Sequence, residues 1–426
     1  VLTEAELGFR PQENEKLFLY DPSGSVVLDG RELTGSLRGR STARGGAWLY
    51  PEAATPGAPN LFSFHDEVVI SEIMYNPPAR RAPAGSSVAV ENSTNQWIEI
   101  ANRSAIPVTL DGWRFTDGIS FTFPAGVTLA PGEHACLARD AEQFAAAHPQ
   151  ARLLGEFAGS LSRSSERIYL RDHYRHPVDE VRFVDGGRWP VAADGGGSSL
   201  ELRDLDADNN VAESWAARDE TAGSAWRTYQ FRARAAPSRG PDGKWSEFNI
   251  GLLDAGEILI DDIRVVENRT TQKIRNTDFS GGTTGWRLRG NHRHSMIVDD
   301  PDEPGNKVLR LVATGGTGHM HNQVETTLLS PVVNDRIYEI SFRARWVSGS
   351  NQLHSRLYFN RMPKVTFLER PEDTGTPSAP NSQAEANIGP TVRTFIHSPA
   401  VPAAGEPVTV SARATDPDSI ADMALH

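Results

Sequence analysis

The chain has one cysteine, Cys136, in 426 residues, so no disulfide can form within it. Its stability must come from burial, and a chain of this length has room for about two to four compact cores. No apolar run approaches the roughly 18 residues that a membrane-spanning helix needs. Nor is there an excess of positive charge, since 43 Lys and Arg against 55 Asp and Glu leave a net charge of −12. Without clustered basic residues a phosphate backbone finds no counter-charge, which argues against a nucleic-acid-binding role. Also missing are a G-x-S-x-G elbow, a P-loop and a dinucleotide-binding glycine pattern. No catalytic signature is evident.

What is present is β-structure. "EKLFLYDPSGSVVLDG" sets two β-rich runs around a Pro-Ser-Gly turn. "VVISEIMYNP", "QWIEIANRS", "ERIYLRD" and "VDEVRFVDG" repeat the pattern, each bounded by Gly, Pro, Asn or Asp. Helical spacing is convincing only in "RDAEQFAAAHPQ", where Asp140 caps the start and Pro149 stops it. Short strands between turn signals predict an all-β fold of tandem β-sandwiches. Cys136 alternates with apolar residues and reads as a small buried hydrophobe. Trp113, after an Asp-Gly turn, reads as a core plug. Glu99, between Ile98 and Ile100, reads as a solvated strand carboxylate.

An internal repeat aligns "LGFRPQENEKLFLYDPSGSVVL" with "AGSLSRSSERIYLRDHYRHPVDEV". Residues 1–60, closing in the Pro/Gly linker "TPGAPN", therefore read as the C-terminal part of a first domain, and 66–217 as a complete second copy. That copy resembles the lamin tail domain of bacterial exported proteins. The resemblance rests on Ser71-Glu72-Ile73, Glu99 with Asn102, the Leu110-Asp111-Gly112-Trp113 turn and the Pro131-Gly132 turn. It implies an immunoglobulin-like sandwich used for attachment, with no catalytic residues. One departure is the long polar insertion "ARRAPAGSSVAVENSTN", read as a mobile loop.

From Trp226 the texture changes. "GEILIDDIRVVE" resembles the closing strand, and "NTDFSGGTTGW" the opening strand, of galactose-binding-like jelly rolls found among carbohydrate-binding modules. Because the closing type comes first, 218–372 reads as one jelly roll with permuted connectivity. The resemblance implies carbohydrate binding and a structural Ca2+ near Asp262, Asn276 and Asp278. Ser280 stands where a ligand Glu often follows the opening Phe, which removes one oxygen from that set.

Two H-x-H pairs stand out in this region, His292 with His294 and His319 with His321. On adjacent strands, positions i and i+2 would turn four imidazoles toward one point. Three readings stay open: a Zn2+ site, contacts to a sugar alongside Trp286, or exposed polar residues without a role.

Residues 373–388 read as a Pro/Ser linker, and 389–426 resemble the start of an immunoglobulin-like or fibronectin-like repeat. The chain opens on Val1 and stops within a strand pattern, so it reads as an internal piece of a larger exported bacterial protein. The expected function is non-catalytic attachment at the cell surface, with the jelly roll binding polysaccharide or a surface protein. One alternative is an accessory region of an enzyme, since such lamin tail domains are often joined to a spore-coat-kinase-like (CotH) domain. Another is a hydrolase using the four histidines, which would require a metal with an open coordination position.

Overall fold

The strand Val68–Met74 is buried at every position, and so are Trp97–Asn102 and His134–Ala138. Strand side chains alternate between faces, so continuous burial means that both faces of this sheet are covered. The computed structural model describes the chain except residues 1–2, 83–85, 88–89, 221–223, 237–245, 320, 372–373, 417 and 425–426. Part of the polar insertion, 83–85 and 88–89, therefore lies outside the described residues.

These three strands belong to a six-stranded sheet, completed by Leu153–Glu156 on one side and by Leu200–Leu202 and Trp215–Ala217 on the other. It packs on a five-stranded sheet built from Arg114–Asp117, Ile119–Thr122, Ser165–Arg171, Pro177–Val184 and the short Ala158–Gly159. Between the sheets lie Ile70, Ile98, Trp113, Phe115, Ile168 and Phe183. Asn102 is held inside by purpose-made acceptors: its amide donates to the Ile106 and Leu129 carbonyls at 2.8 and 3.0 Å. The expected helix forms over Ala141–Ala147, with Asp140 accepting from the Gln143 amide at 3.0 Å. Its Phe144 packs on Trp97 and on the fully buried Cys136, covering part of the outer face.

A second sandwich runs from Arg227 to Phe367. One sheet carries Arg227–Arg234, Ile337–Gly349, Gly256–Glu267, Lys307–Ala313 and Met296–Asp299 in that spatial order. The other carries Trp286–Leu288, Val324–Thr327, Glu247–Leu252, Gln352–Leu357 and Lys364–Phe367. Strands before and after residue 270 thus share both sheets and one core around Phe248, Ile260, Tyr338 and Trp346.

The two sandwiches touch. Gly349 donates its backbone N–H to the Gly196 carbonyl, and Gly197, at φ +98°, passes so near the Trp346 ring that a Cβ there would collide with it. The described part of residues 1–60 forms a short helix, Glu4–Leu7, and two small antiparallel pairs, Lys16–Tyr20 with Val27–Glu32 and Gly39–Ser41 with Ala47–Leu49. Phe18 and Leu28 are 54% and 60% exposed, and no described residue of this segment joins a core cluster. Thr391–Ser398 and Thr409–Thr415 pair as a second hairpin near the C-terminus. The segment read as a linker is packed rather than free: Asn381 donates to the Ser71 and Leu202 carbonyls at 2.9 and 2.8 Å.

Trp113 is 1% exposed in the first core. Trp113→Ala removes a whole indole, and its expected cost is about 3–5 kcal/mol of sandwich stability. Urea unfolding followed by far-ultraviolet circular dichroism would measure it, and Trp113→Phe should lose clearly less.

Candidate functional site

The stretch "EFNIGL" over Glu247–Leu252 decides which residues face outward on the second sandwich. Phe248, Ile250 and Leu252 are core residues, so period-2 alternation turns Glu247, Asn249 and Gly251 to the opposite face. The same rule, with the observed pairing, aligns a row across four strands. Arg287 stands opposite Glu325, Glu325 opposite Asn249, and Asn249 opposite Arg356. Gly251 stands opposite His354.

The row is tied together at its flanks. Arg287 Nε and Arg289 Nη2 lie 2.6 and 3.0 Å from Glu325 Oε1. Gln323 Nε2 donates to Glu325 Oε2 at 3.2 Å, and Gln323 Oε1 accepts from Arg356 at 3.0 Å. Arg356 also donates to Asn360 Oδ1 at 3.2 Å. Asn249, at the centre, is 2% exposed, yet neither its Nδ2 nor its Oδ1 reaches a hydrogen-bond partner among the described residues. Its contact with Glu247 favours the charged form of that carboxylate, though the geometry falls short of a hydrogen bond. Leaving a buried amide unmatched costs about 1–3 kcal/mol, so each such group calls for a reason.

Asn249 opens into a hollow of about 230 Å³, shared with Thr317, His319, His354, Arg356 and Asn360. A second hollow of about 650 Å³, lined by Glu247, Arg287, Glu325 and His321 among others, meets the first at Gln323 and Arg356. Burial first, and the Glu325 charge second, raise the Glu247 carboxyl above its ordinary range. Burial first, and Arg356 second, lower the His354 imidazole. The groove therefore offers an amide, a neutral imidazole and guanidinium groups, all suited to the paired donors and acceptors of neighbouring hydroxyls.

The residues singled out from sequence fall differently. Trp286 was expected at the ligand surface. It is 6% exposed and packs against Phe248 and Phe279, and its indole N–H donates to the Asn276 carbonyl at 3.0 Å. On its strand it is Arg287, not Trp286, that faces out, so Trp286 belongs to the core.

None of the four paired histidines lies on a strand, so the strand-based convergence does not arise. His292 sits in the 3-10 turn Gly290–His292 and is fully buried. Its Nε2 accepts the Leu252 N–H at 3.0 Å, and its Nδ1 lies 2.6 Å from Asn291 Oδ1. With both nitrogens engaged, His292 cannot also hold a metal. His294 accepts from Arg293 Nε at 3.1 Å on the exposed side. The His319 and His321 rings lie 5.0 Å apart and tilted by 45°, one at the rim of each hollow. Among the described residues no three His, Cys, Asp or Glu groups converge as metal ligands.

The three residues expected at a Ca2+ site lie on two neighbouring segments, joined by the Ile263 N–H to the Thr277 carbonyl at 2.9 Å. Asp262 is an exposed bulge residue at φ +52°. Asn276 closes its own loop through the Gly282 and Thr284 carbonyls at 2.7 and 3.0 Å. Asp278 accepts from the Ser280 hydroxyl at 2.8 Å.

Asn249, Gln323, His354 and Arg356 were not singled out from sequence. The available signal was the polar residue inside the apolar alternation of "EFNIGL".

Burial depresses the His292 pKa from 6.5 to about 4. A depressed histidine contributes stability that is whole above pH 6.5 and fades as pH falls toward 4. NMR titration should place the His292 transition near 4. A His292 midpoint near 6.5 would contradict its buried, neutral role.

Comparison with known families agrees with this layout. Residues 63–185 match the family model described as Lamin Tail Domain, and residues 271–361 match that of a Carbohydrate binding domain. No curated protein matches the chain. The second match spans Arg287, Gln323, Glu325, His354 and Arg356, while the Asn249 strand precedes it. The chain thus carries a lamin tail domain followed by a carbohydrate-binding domain, both of all-β architecture.

Proposed function

We propose that the groove on the outer face of the Asn249 sheet binds a polysaccharide chain, and that the protein is a non-catalytic attachment unit exported to the cell surface. The observation that carries this reading is the Asn249 amide, buried and unmatched at the centre of the Arg287–Glu325–Asn249–Arg356 row. A sugar ring laid across that row, with the side chains that cover the amide moved aside, would give it a hydroxyl acceptor and a hydroxyl donor. Arg356 and His354 stand beside it to take the neighbouring hydroxyls. The groove is polar and shallow, with the core aromatics turned away from it, so recognition rests on hydrogen bonds rather than on ring stacking. The match to a carbohydrate-binding domain supports this reading. The lamin tail sandwich, with no catalytic residues of its own family, supplies spacing and anchorage.

Affinity electrophoresis of the full chain in gels containing different polysaccharides tests the proposal. At least one polymer should retard it. Asn249→Ala and Arg356→Ala should each weaken that retardation roughly tenfold or more, the equivalent of about 1.4 kcal/mol, with circular dichroism unchanged. Retardation should persist in EDTA, because the groove's donors are amide, guanidinium and imidazole groups. Migration unaffected by every polymer, or variants that bind as well as the parent, would overturn it.

A further inference from the structure

The outer face of the lamin tail sheet carries Glu72, Glu99 and Glu201, and Glu220 joins them from just beyond the Trp215–Ala217 strand. Glu72, Glu99, Glu201 and Glu220 are all essentially buried, at 0–1% exposure. What covers them is the segment 374–385, which lies far along the chain beyond the second sandwich. It lays "TGTPSAPNSQAE", folded into two tight turns closed by Ala379 N–H to the Thr376 carbonyl and Ala384 N–H to the Asn381 carbonyl, across the carboxyls and meets them with donors. Gly375 N–H donates to Glu220 at 3.1 Å, Thr376 N–H to Glu72 at 2.9 Å and Ser378 N–H to Glu99 at 2.6 Å. Ser382 Oγ and Gln383 N–H both donate to Glu201 Oε2, at 2.7 and 2.9 Å. Gly375, at φ +95°, runs so close to the Trp97 ring that any side chain would collide with it.

One contact cannot be made by ionised carboxylates alone. Thr376 Oγ1 lies 2.6 Å from Glu201 Oε1 and 3.1 Å from Glu72 Oε2. A hydroxyl has one hydrogen to donate, and it can serve only one of these oxygens. The other contact is attractive only when that carboxyl is protonated and donates to the hydroxyl. A chain Glu72–O–H to Thr376 Oγ1–H to Glu201 satisfies both. Burial first, then the charges of Glu99 and Glu201, push the Glu72 carboxyl well above the ordinary carboxylate range, in keeping with that assignment. Burial likewise raises Glu220 to about 7, against the pull of Arg218.

We infer that the 374–385 segment is a proton-held strap: docked while the carboxyl cluster keeps its shared proton, and released when that proton is lost. The surroundings offer little to neutralise the extra charge. His134 Nδ1 is already committed to Glu99 at 2.7 Å and Arg218 to Glu220. Cys136 faces Glu99 as a thiol whose pKa burial pushes up. Arg152 touches the strap through its backbone N–H while its guanidinium pairs with Glu133. The strap has no charged residue between Thr374 and Ala384, and Glu385 at its end pairs with Arg203. Carboxyls with raised pKa values contribute docking stability that is whole at low pH and lost as pH rises through the raised values. Because the strap leads from the second sandwich to the Thr391–Thr415 hairpin, its release would free that hairpin's exit point from the lamin tail sheet. Arg393, paired with Asp208, is a further tether at that exit.

Hydrogen–deuterium exchange on the full chain, corrected for intrinsic exchange rates, tests this between pH 5.5 and 9. Strap amides should be protected at the acid end. Above a midpoint they should lose protection by roughly tenfold per pH unit, the signature of one linked proton, while amides of the Ser165–Arg171 strand stay protected. Glu72→Gln, which mimics the protonated acid, should keep the strap protected at pH 9. Should that variant fail to fold, Thr376→Val provides the second arm. Lacking the bridging hydroxyl, it should show weaker strap protection at pH 5.5 and a flattened pH dependence. Strap protection in the parent that stays constant from pH 5.5 to 9 would overturn the inference. So would a parent-like pH profile in either folded variant.

Discussion

Buried polar groups must find partners, and in this chain that requirement arranges the parts. A sandwich sheet with one apolar face needs only the facing sheet. The lamin tail sheet carries Glu72, Glu99 and Glu201 on its other face, where a segment of consecutive turns with matching amides and hydroxyls covers them. The covering segment returns from beyond residue 370, so the second sandwich is held against the first at both ends. At one place Gly197 seats Trp346; at the other the strap crosses Trp97. Closing each of these contacts buries polar backbone, and the carboxyls supply the acceptors that make it tolerable.

The jelly roll applies the same rule with the opposite outcome. Its buried imidazole, His292, is matched by the Leu252 N–H and the neighbouring Asn291. Its buried charge pairs, such as Lys273 with Glu267 at 2.8 Å, are matched as well. Asn249 is the group left over on the exposed side of the sheet, at the floor of the groove. Ser355 Oγ and Asp261 Oδ1 are also unmatched in this sandwich, but Asn249 is the group whose amide lacks partners at both of its atoms while lining a groove, the pattern expected where binding supplies the partner.

Much of this was legible in the sequence, and the reasons are local. The β-rich run "VVISEIM" between turn residues and the alternation in "GEILIDDIRVVE" set the strands, Asp140 and Pro149 bounded the helix, and the Asp111-Gly112 turn delivered Trp113 to the core. What was not legible depends on residues distant in the chain. Glu99 between two isoleucines looked solvated because the segment that covers it lies about 280 positions later. That same segment looked like a free linker, since its Pro and Ser content reports stiffness and polarity but not what it docks on. The H-x-H pairs misled because the flanking glycines put them in turns, where i and i+2 need not share a face. Trp286 was judged by residue type, whereas its parity on the strand, with Arg287 facing out, decided its role.

The central claim is that Asn249 is the recognition amide of a sugar-binding groove. Its side-chain NH2 gives a pair of resolved NMR signals that can be followed while soluble oligosaccharides are added to the full chain. The account predicts that one oligosaccharide shifts these signals saturably, together with those of Gln323 and the Arg356 guanidinium. If a sugar binds while the Asn249 signals stay in place and others far from the groove move, the site is elsewhere and the account fails.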